Sequence, residues 1–218
     1  MRRLGSTLLG VLASVCIFFA AGELLSRIYR LPERVNGFPR QLYVATDDPT
    51  VPYVLRPGLV TTVRNVPVRV NALGLRGQEV PLVPAAGVHR VLALGDSATF
   101  GEGLAEEDAF PVRLERELNA RSGERWEVLN AGVQGYNTEG ELGFLRTRGL
   151  AMRPEAIVVG FNLNDFDYCP VIGPLGVLTR DRGERVSRWS PANLSEFYLV
   201  LRWLLITRGR FLGPRALL

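Results

Sequence analysis

The chain has 218 residues, 47% of them hydrophobic, and a formal net charge of +4. This length accommodates one domain and an attachment, and the apolar content is sufficient for a buried core. All 26 basic residues are arginine, and the absence of lysine excludes a P-loop, a Schiff-base enzyme and a protein kinase.

Two arginines precede a long apolar run from Leu4 to Leu25, which contains Glu23 as its only charged residue. A transmembrane helix needs about 20 residues, so this run can span a membrane if Glu23 lies at the interface. A signal peptide cleaved at the small residues near Ala21 is the alternative. We favour an uncleaved, single-pass anchor over residues 1–30 in the inner membrane. The two early arginines favour a cytoplasmic N-terminus and a domain on the extracytoplasmic side.

Residues 31–88 are predicted to form a proline-rich stalk and a β lead-in. Five prolines lie between residues 31 and 58, a composition typical of an extended segment. Valines recur among polar residues between 59 and 72, which predicts a short antiparallel strand pair. Glycine turns and further prolines then separate this lead-in from the main domain.

From residue 89 to residue 218 we predict an α/β domain in which strands and helices alternate. The predicted strands are Val91–Leu94, Trp126–Leu129 and Ala156–Phe161, and the predicted helices are Phe110–Ala120 and Asn137–Leu150. Such alternation is typical of βαβ units, whose strands are parallel. The fold class is therefore α/β with a doubly wound parallel sheet.

The C-terminal part is less regular and more basic. We predict a loop over residues 173–188 and an apolar helix over Leu194–Ile206, which is too short for a second membrane span and contains Arg202. Residues 171–218 carry eight arginines against three acidic residues, a net charge of +5. No nucleic-acid motif accompanies this charge, so a solvated arginine-rich segment is the simpler interpretation.

Each predicted strand is followed by a distinctive turn. These turns are Gly95-Asp96-Ser97 after the first strand, Asn130–Gly135 after the second and Asn162–Asp165 after the third. Because parallel strands end at one edge of a sheet, where ligands bind in open α/β folds, we expect the turns to converge. A serine, glycine-rich backbone N–H groups and a carboxamide are what acyl transfer requires.

These three motifs, in this order, resemble the SGNH (or GDSL) hydrolase family, and the lead-in resembles that of membrane-anchored bacterial members. The resemblance covers roughly residues 90–165 and implies a flavodoxin-like three-layer fold and ester hydrolysis through a serine acyl-enzyme. It implies that Ser97 is the nucleophile and first oxyanion donor, with Gly135 and Asn164 as the second and third donors. Asp96 and Asp165 would support the turns. No metal or cofactor is implied, and two cysteines exclude a cysteine-based zinc site.

Two features depart from the family pattern. Asn162 stands where the family has glycine, and the Asp-x-x-His motif that supplies the general base and its orienting acid is absent. The single histidine, His89, begins the first strand. At about 3.3 Å per residue it lies roughly 20–26 Å from Ser97 and is excluded as the base. We therefore expect this chain to be the front part of a longer domain and to be inactive alone.

Three functions remain open at this point. The first is a serine ester hydrolase that acts on acyl esters at the cell envelope through a Ser97 acyl-enzyme. The second is a non-catalytic envelope protein that serves as a binding or scaffold module. The third is an O-acyltransferase that acts on a polysaccharide, which uses the same oxyanion hole as hydrolysis. The expected partners are an acyl-ester substrate, with acylated polysaccharide as one class, and the membrane, without nucleic acid.

Overall fold

The computed structural model describes residues 2–36, 39–166, 169–172, 178–179 and 194–212. The chain divides into two compact units: a helical unit, residues 1–37 with 187–218, and a sheet unit, residues 38–186.

Six helices and nine strands lie within the described residues. The helices are α1 (Arg2–Tyr29), α2 (Leu31–Asn36), α3 (Ser97–Phe100), α4 (Phe110–Ser122), α5 (Thr138–Thr147) and α6 (Glu196–Leu212). The strands are β1 (Tyr43–Ala45), β2 (Tyr53–Leu55), β3 (Val60–Val63), β4 (Val66–Arg69), β5 (Val88–Gly95), β6 (Arg125–Gly132), β7 (Ala156–Gly160), β8 (Val171–Ile172) and β9 (Leu178–Thr179).

Helix α1 carries the apolar N-terminal run. Over Thr7–Tyr29 it is long and apolar enough to cross a membrane, and among the described residues it is the one helix that meets this test. Its large apolar side chains, such as Leu9, Ile17 and Phe18, are exposed. This pattern suits a lipid environment, and a signal sequence shares it.

The acidic residue of this apolar run caps another helix of the same unit. The Glu23 carboxylate accepts hydrogen bonds from the Ser195 hydroxyl (2.8 Å) and from the backbone N–H groups of Glu196 (3.3 Å) and Phe197 (3.1 Å). N–H groups in the first turn of a helix lack acceptors within that helix, so Glu23 joins α1 to the start of α6. A Cβ atom at Gly22 would lie 2.8 Å from the Phe197 ring, so glycine permits this packing.

Helix α6 overlaps the apolar helix that the sequence predicts over Leu194–Ile206 and continues further, to Leu212. It packs against α1 and α2. The loop predicted over residues 173–188 lies outside the described residues except for residues 178 and 179, which form β9.

The sheet unit is built on a parallel sheet with the strand order β6-β5-β7. Gly95 at the end of β5 lies opposite Gly132 of β6 and Gly160 of β7, so the three strands end at the same level. A central first strand flanked by the second and third is the order of flavodoxin-like sheets. The predicted α/β fold with a parallel sheet is confirmed.

Alternate side chains of β5 pack into two clusters on opposite faces of the sheet. Val91 and Ala93 pack towards α4, whereas Leu92 and Leu94 join a larger cluster that contains Phe144 of α5. Side chains of a strand point alternately to its two faces, so a continuous apolar run buries both. The sheet is therefore the middle of three layers.

Some element boundaries differ from those predicted. Strands β5 and β6 are longer than the apolar runs within them, because their ladder pairs continue to the terminal glycines. Helix α5 is shorter than the predicted Asn137–Leu150. The Asn137 side chain caps it by accepting the Gly140 N–H at 2.9 Å, and a 3₁₀ turn, Gly149–Met152, follows it.

The segment predicted to be an extended stalk is folded. Strands β1 and β2 pair antiparallel, as do β3 and β4 in the region predicted to form a strand pair. Leu42, Tyr53 and Leu55 are fully buried in the same cluster as the side chains of β5. Pro39 and Pro52 lie beside the strands, where they remove no ladder hydrogen bond, so the prolines do not prevent pairing.

Strand β7 is the most exposed strand of the parallel sheet. In the described part of the chain it pairs on one side only, with β5. Ile157 and Val159 are 41% and 50% exposed, although strands of parallel sheets are normally covered on both faces.

Candidate active site

Ser97 is the first residue of α3, directly after the central strand. The Asp96 carboxylate caps this helix by accepting the Ala98 N–H at 2.8 Å. A Cβ atom at Gly95 would overlap the Thr99 hydroxyl, so glycine is needed for the sharp turn from strand to helix. Ser97 is half-buried, and within the described residues neither its hydroxyl nor its backbone N–H forms a hydrogen bond. Both groups are free to meet a ligand.

The turn after β6 packs directly against α3. A Cβ atom at Gly132 would overlap the backbone of Phe100, and the Val133 N–H donates to the Gly95 carbonyl at 3.0 Å. Gly135 follows in a left-handed conformation, with φ +82°. In the described part of the chain its N–H donates no hydrogen bond. Gly132 thus permits close packing, and Gly135 presents an unpaired donor.

Asn162, in the turn after β7, forms a hydrogen bond with the turn after β5. The Asn162 side-chain amide donates to Asp96 Oδ2 at 3.2 Å, and its backbone N–H donates to Asp165 Oδ2 at 2.7 Å. Asn164 lies in the 3₁₀ turn Leu163–Phe166. The prediction that its side chain is the third oxyanion donor concerns a side chain outside the described residues.

A buried carboxyl group that sequence reasoning did not single out interacts electrostatically with Asp165 and Asp96. Glu141 of α5 is 2% exposed, and its Oε1 has no hydrogen-bond partner among the described residues. Burial, and then the charges of Asp165 and Asp96, raise the pKa of Glu141 to about 7. Its spacing from the apolar Phe144, three residues later on the same helix, was the available signal that it faces inward.

The lead-in supplies an arginine that holds the segment after the nucleophile, which the sequence also did not reveal. Arg76 is 3% exposed, and its guanidinium donates to the carbonyl groups of Phe100 (2.6 Å), Gly101 (2.7 Å) and Leu104 (2.6 Å). Carbonyl groups at a helix end lack partners within the helix, and a planar guanidinium can bind several at once. The position of α3 therefore depends on the lead-in.

His89 lies near the amino end of β5, whereas Ser97 lies beyond its carboxyl end. Its ring stacks on Trp126, and its Nδ1 is 2.8 Å from a carboxylate oxygen of Glu155. The hydrogen bond to Glu155 is the main cause that raises the pKa of His89. The histidine is therefore engaged elsewhere, in agreement with its exclusion as the base. Within the described ranges no group of three or more His, Cys, Asp or Glu residues could hold a metal ion.

Comparisons with known proteins give matches among solved structures. No family model and no curated protein matches the sequence. Among solved structures, the chain is similar to AlinE4, an SGNH-hydrolase family esterase, with 26% identity over 60% of this chain and 58% of that chain, and a TM-score of 0.34. Two single-substitution variants of AlinE4 match at 30% identity, over 38% and 35% of this chain and 44% and 41% of theirs, with TM-scores of 0.34 and 0.30. The chain thus spans less than two thirds of the length of these structures.

Proposed function

We propose that the edge formed by the three turns is the nucleophile and oxyanion site of a serine ester hydrolase of the SGNH type. The observation that carries this proposal is the set of unpaired groups at one sheet edge: the Ser97 hydroxyl, the Ser97 N–H and the Gly135 N–H. A nucleophile beside backbone donors is the arrangement that stabilises a tetrahedral intermediate in acyl transfer.

In this proposal Ser97 Oγ attacks the carbonyl carbon of an acyl ester. The new Oγ–C bond forms as the hydroxyl proton passes to a general base, which is the role of the Asp-x-x-His motif that this sequence lacks. The C–O bond to the alcohol then breaks as the alcohol takes up that proton. The N–H groups of Ser97 and Gly135, with the Asn164 carboxamide, hold the negative oxygen. Asp96 and Asp165 maintain the turns. Water then cleaves the acyl-enzyme, or a sugar hydroxyl accepts the acyl group.

We place the site outside the cytoplasm. Helix α1 serves as the anchor in the inner membrane, and residues 89–218 carry the domain, with residues 31–88 between them. An extracytoplasmic site faces the esters of the cell envelope, among which acylated polysaccharide is a suitable class. Protection of the sheet unit from protease in intact spheroplasts, with cleavage only after lysis, would contradict this orientation.

The test is covalent labelling with a fluorophosphonate, which reacts with activated serines. Because this sequence lacks the general base, this experiment and every later labelling experiment use a version of the protein that also carries an Asp-x-x-His motif. We expect one adduct per chain, located on Ser97 by peptide mass spectrometry, and its loss in Ser97→Ala. The matched control is Ser122→Ala, which removes an exposed serine of α4 and should leave the label intact. Label that persists in Ser97→Ala would contradict the role of this serine.

The distance of His89 from the site favours a second candidate, a module that binds acyl esters without turning them over. This candidate predicts saturable binding of a long-chain p-nitrophenyl ester with no release of p-nitrophenol. Release that depends on Ser97 would exclude it and support the hydrolase.

A further inference from the structure

A tyrosine of the lead-in forms a hydrogen bond with the turn that contains the proposed second oxyanion donor. Tyr53, in β2, is fully buried, and its hydroxyl donates to the backbone carbonyl of Gln134 at 2.7 Å. The two residues are 81 positions apart in the chain. This contact therefore joins the lead-in to the turn after β6.

The carbonyl that Tyr53 binds belongs to the same peptide group as the Gly135 N–H. In a planar trans peptide the C=O and N–H bonds point in opposite directions, so fixing one fixes the other. Glycine tolerates many backbone conformations, and a peptide group next to it rotates at little steric cost. The bond from Tyr53 opposes such a rotation and keeps the Gly135 N–H on the far side of the peptide.

The surroundings of Tyr53 hold its hydroxyl in place and in the protonated form. The Tyr53 ring packs edge-on against the rings of Tyr43 and Tyr136, with centroid distances of 5.3 and 5.4 Å. The Tyr136 hydroxyl donates to the Tyr53 carbonyl. The Tyr43 hydroxyl donates instead to the Gln134 side chain, at 3.1 Å, and forms no bond with the Tyr53 hydroxyl. Burial raises the pKa of Tyr53 far above its usual value, so the hydroxyl is protonated and can donate at neutral pH.

Close packing also explains why position 135 is a glycine. A Cβ atom there would lie 3.0 Å from the Tyr53 hydroxyl oxygen and 2.7 Å from Cγ of Pro170, in a backbone conformation with φ +82°. A larger residue would push Tyr53 away from the carbonyl. The tyrosine and the glycine therefore form one fitted pair.

We propose that Tyr53 is a positioning residue for the oxyanion hole, whose hydroxyl fixes the Gln134–Gly135 peptide so that its N–H faces the substrate oxygen. This inference rests on the proposed function. A hydrogen bond to the carbonyl also polarises the peptide and strengthens its N–H as a donor. The lead-in thereby acts on the proposed active site through the turn after β6.

The test compares Tyr53→Phe, which deletes only the hydroxyl, with Tyr43→Phe, which deletes a hydroxyl bonded to the Gln134 side chain instead of the backbone. For both full-length variants the fluorophosphonate reaction at Ser97 is resolved into a maximal rate and a half-saturating concentration. Loss of one oxyanion donor lowers rates by about 100- to 1000-fold in other enzymes, and a misaligned donor should cost less. We expect Tyr53→Phe to lower the maximal rate about 10- to 100-fold with an unchanged half-saturating concentration, and Tyr43→Phe to change neither.

A second measurement does not depend on reactivity. With ¹⁵N-glycine labelling, the Gly135 amide resonance should shift in Tyr53→Phe and stay in place in Tyr43→Phe. Replacement of Tyr53 by 3-fluorotyrosine, a stronger donor of nearly the same shape, should also shift it and covers the case in which the phenylalanine variant does not fold. An unshifted Gly135 amide, or an unchanged maximal rate in Tyr53→Phe, would overturn the role of Tyr53. Failure to label at Ser97 with both Tyr53 and the Asp-x-x-His motif in place would overturn the proposed function alone, since the amide measurement still tests the contact.

Discussion

Replacement of Glu141 by glutamine tests whether a buried carboxyl group lies behind the nucleophile turn. The pKa of Glu141 is raised from an ordinary value of 4.5 to about 7, chiefly by burial and then by the charges of Asp165 and Asp96. The folded protein therefore holds this proton more tightly than the unfolded chain does. The contribution of Glu141 to stability is fully present below pH 4.5, is lost as the pH rises through about 7, and stays absent above that pH.

The size of this effect follows from the two pKa values. At about 1.4 kcal/mol per pH unit, the difference between 4.5 and about 7 corresponds to about 3 kcal/mol in the free energy of unfolding. Glu141→Gln keeps the shape of the protonated side chain and cannot ionise. We expect it to match the unmodified protein at pH 4.5 and to be more stable by about 2 to 3 kcal/mol at pH 8.

The assay is urea unfolding of the full chain in detergent, followed by circular dichroism at intervals between pH 4.5 and 8.5. The matched control is Glu139→Gln on the same helix, because Glu139 is exposed and its charge is solvated. Only Glu141→Gln should reduce the pH dependence of the free energy of unfolding. A constant difference in stability between this variant and the unmodified protein at every pH would refute the reasoning.

Substitutions at three further positions test the packing around the nucleophile and the exclusion of the histidine. Arg76→Ala leaves three carbonyl groups without their donor and should lower the free energy of unfolding by about 3 kcal/mol in urea titrations. Arg76→Lys should restore less than half of this loss. Full recovery in the lysine variant would show that charge alone matters. Gly132→Ala places a methyl group against the backbone of Phe100 and should slow phosphonate labelling of Ser97 at least tenfold. An unaltered labelling rate would mean that close packing against Gly132 does not position α3. His89→Gln should leave the labelling rate of Ser97 unchanged within twofold. It should also remove the contact with Glu155, which stabilises the protein at low pH and is lost as the pH rises through the raised pKa of His89. A large loss of labelling would contradict the exclusion of His89 from the site.

The elements that sequence patterns predicted are those that depend on local information. The apolar run Val91–Leu94 is long enough for a strand, and the glycine, acid and hydroxyl that follow it are the residues that a strand-to-helix turn requires. Helix α4 and the strand pair of the lead-in follow from periodicity in the same way. These features rest on neighbouring residues, so a single sequence reveals them.

The features that escaped prediction depend on partners distant in the chain. Arg76 lies in a glycine-rich turn, and nothing near it indicates that its acceptors are the carbonyl groups 24 to 28 residues later. Tyr53 lies among prolines that suggest a stalk, and its partner Gln134 is 81 residues away. Burial of the lead-in depends on a face of the sheet that exists only after folding, so composition alone favours an extended segment.

The most direct test of the central claim is a crystal structure of the full chain after reaction with a fluorophosphonate. A serine adduct carries a phosphonyl oxygen at the position that the oxyanion occupies in acyl transfer. We predict a bond between phosphorus and Ser97 Oγ, with that oxygen about 3 Å from the backbone nitrogen atoms of both Ser97 and Gly135. An adduct on another residue, or a phosphonyl oxygen directed away from both nitrogen atoms, would contradict the assignment of this sheet edge as an oxyanion site.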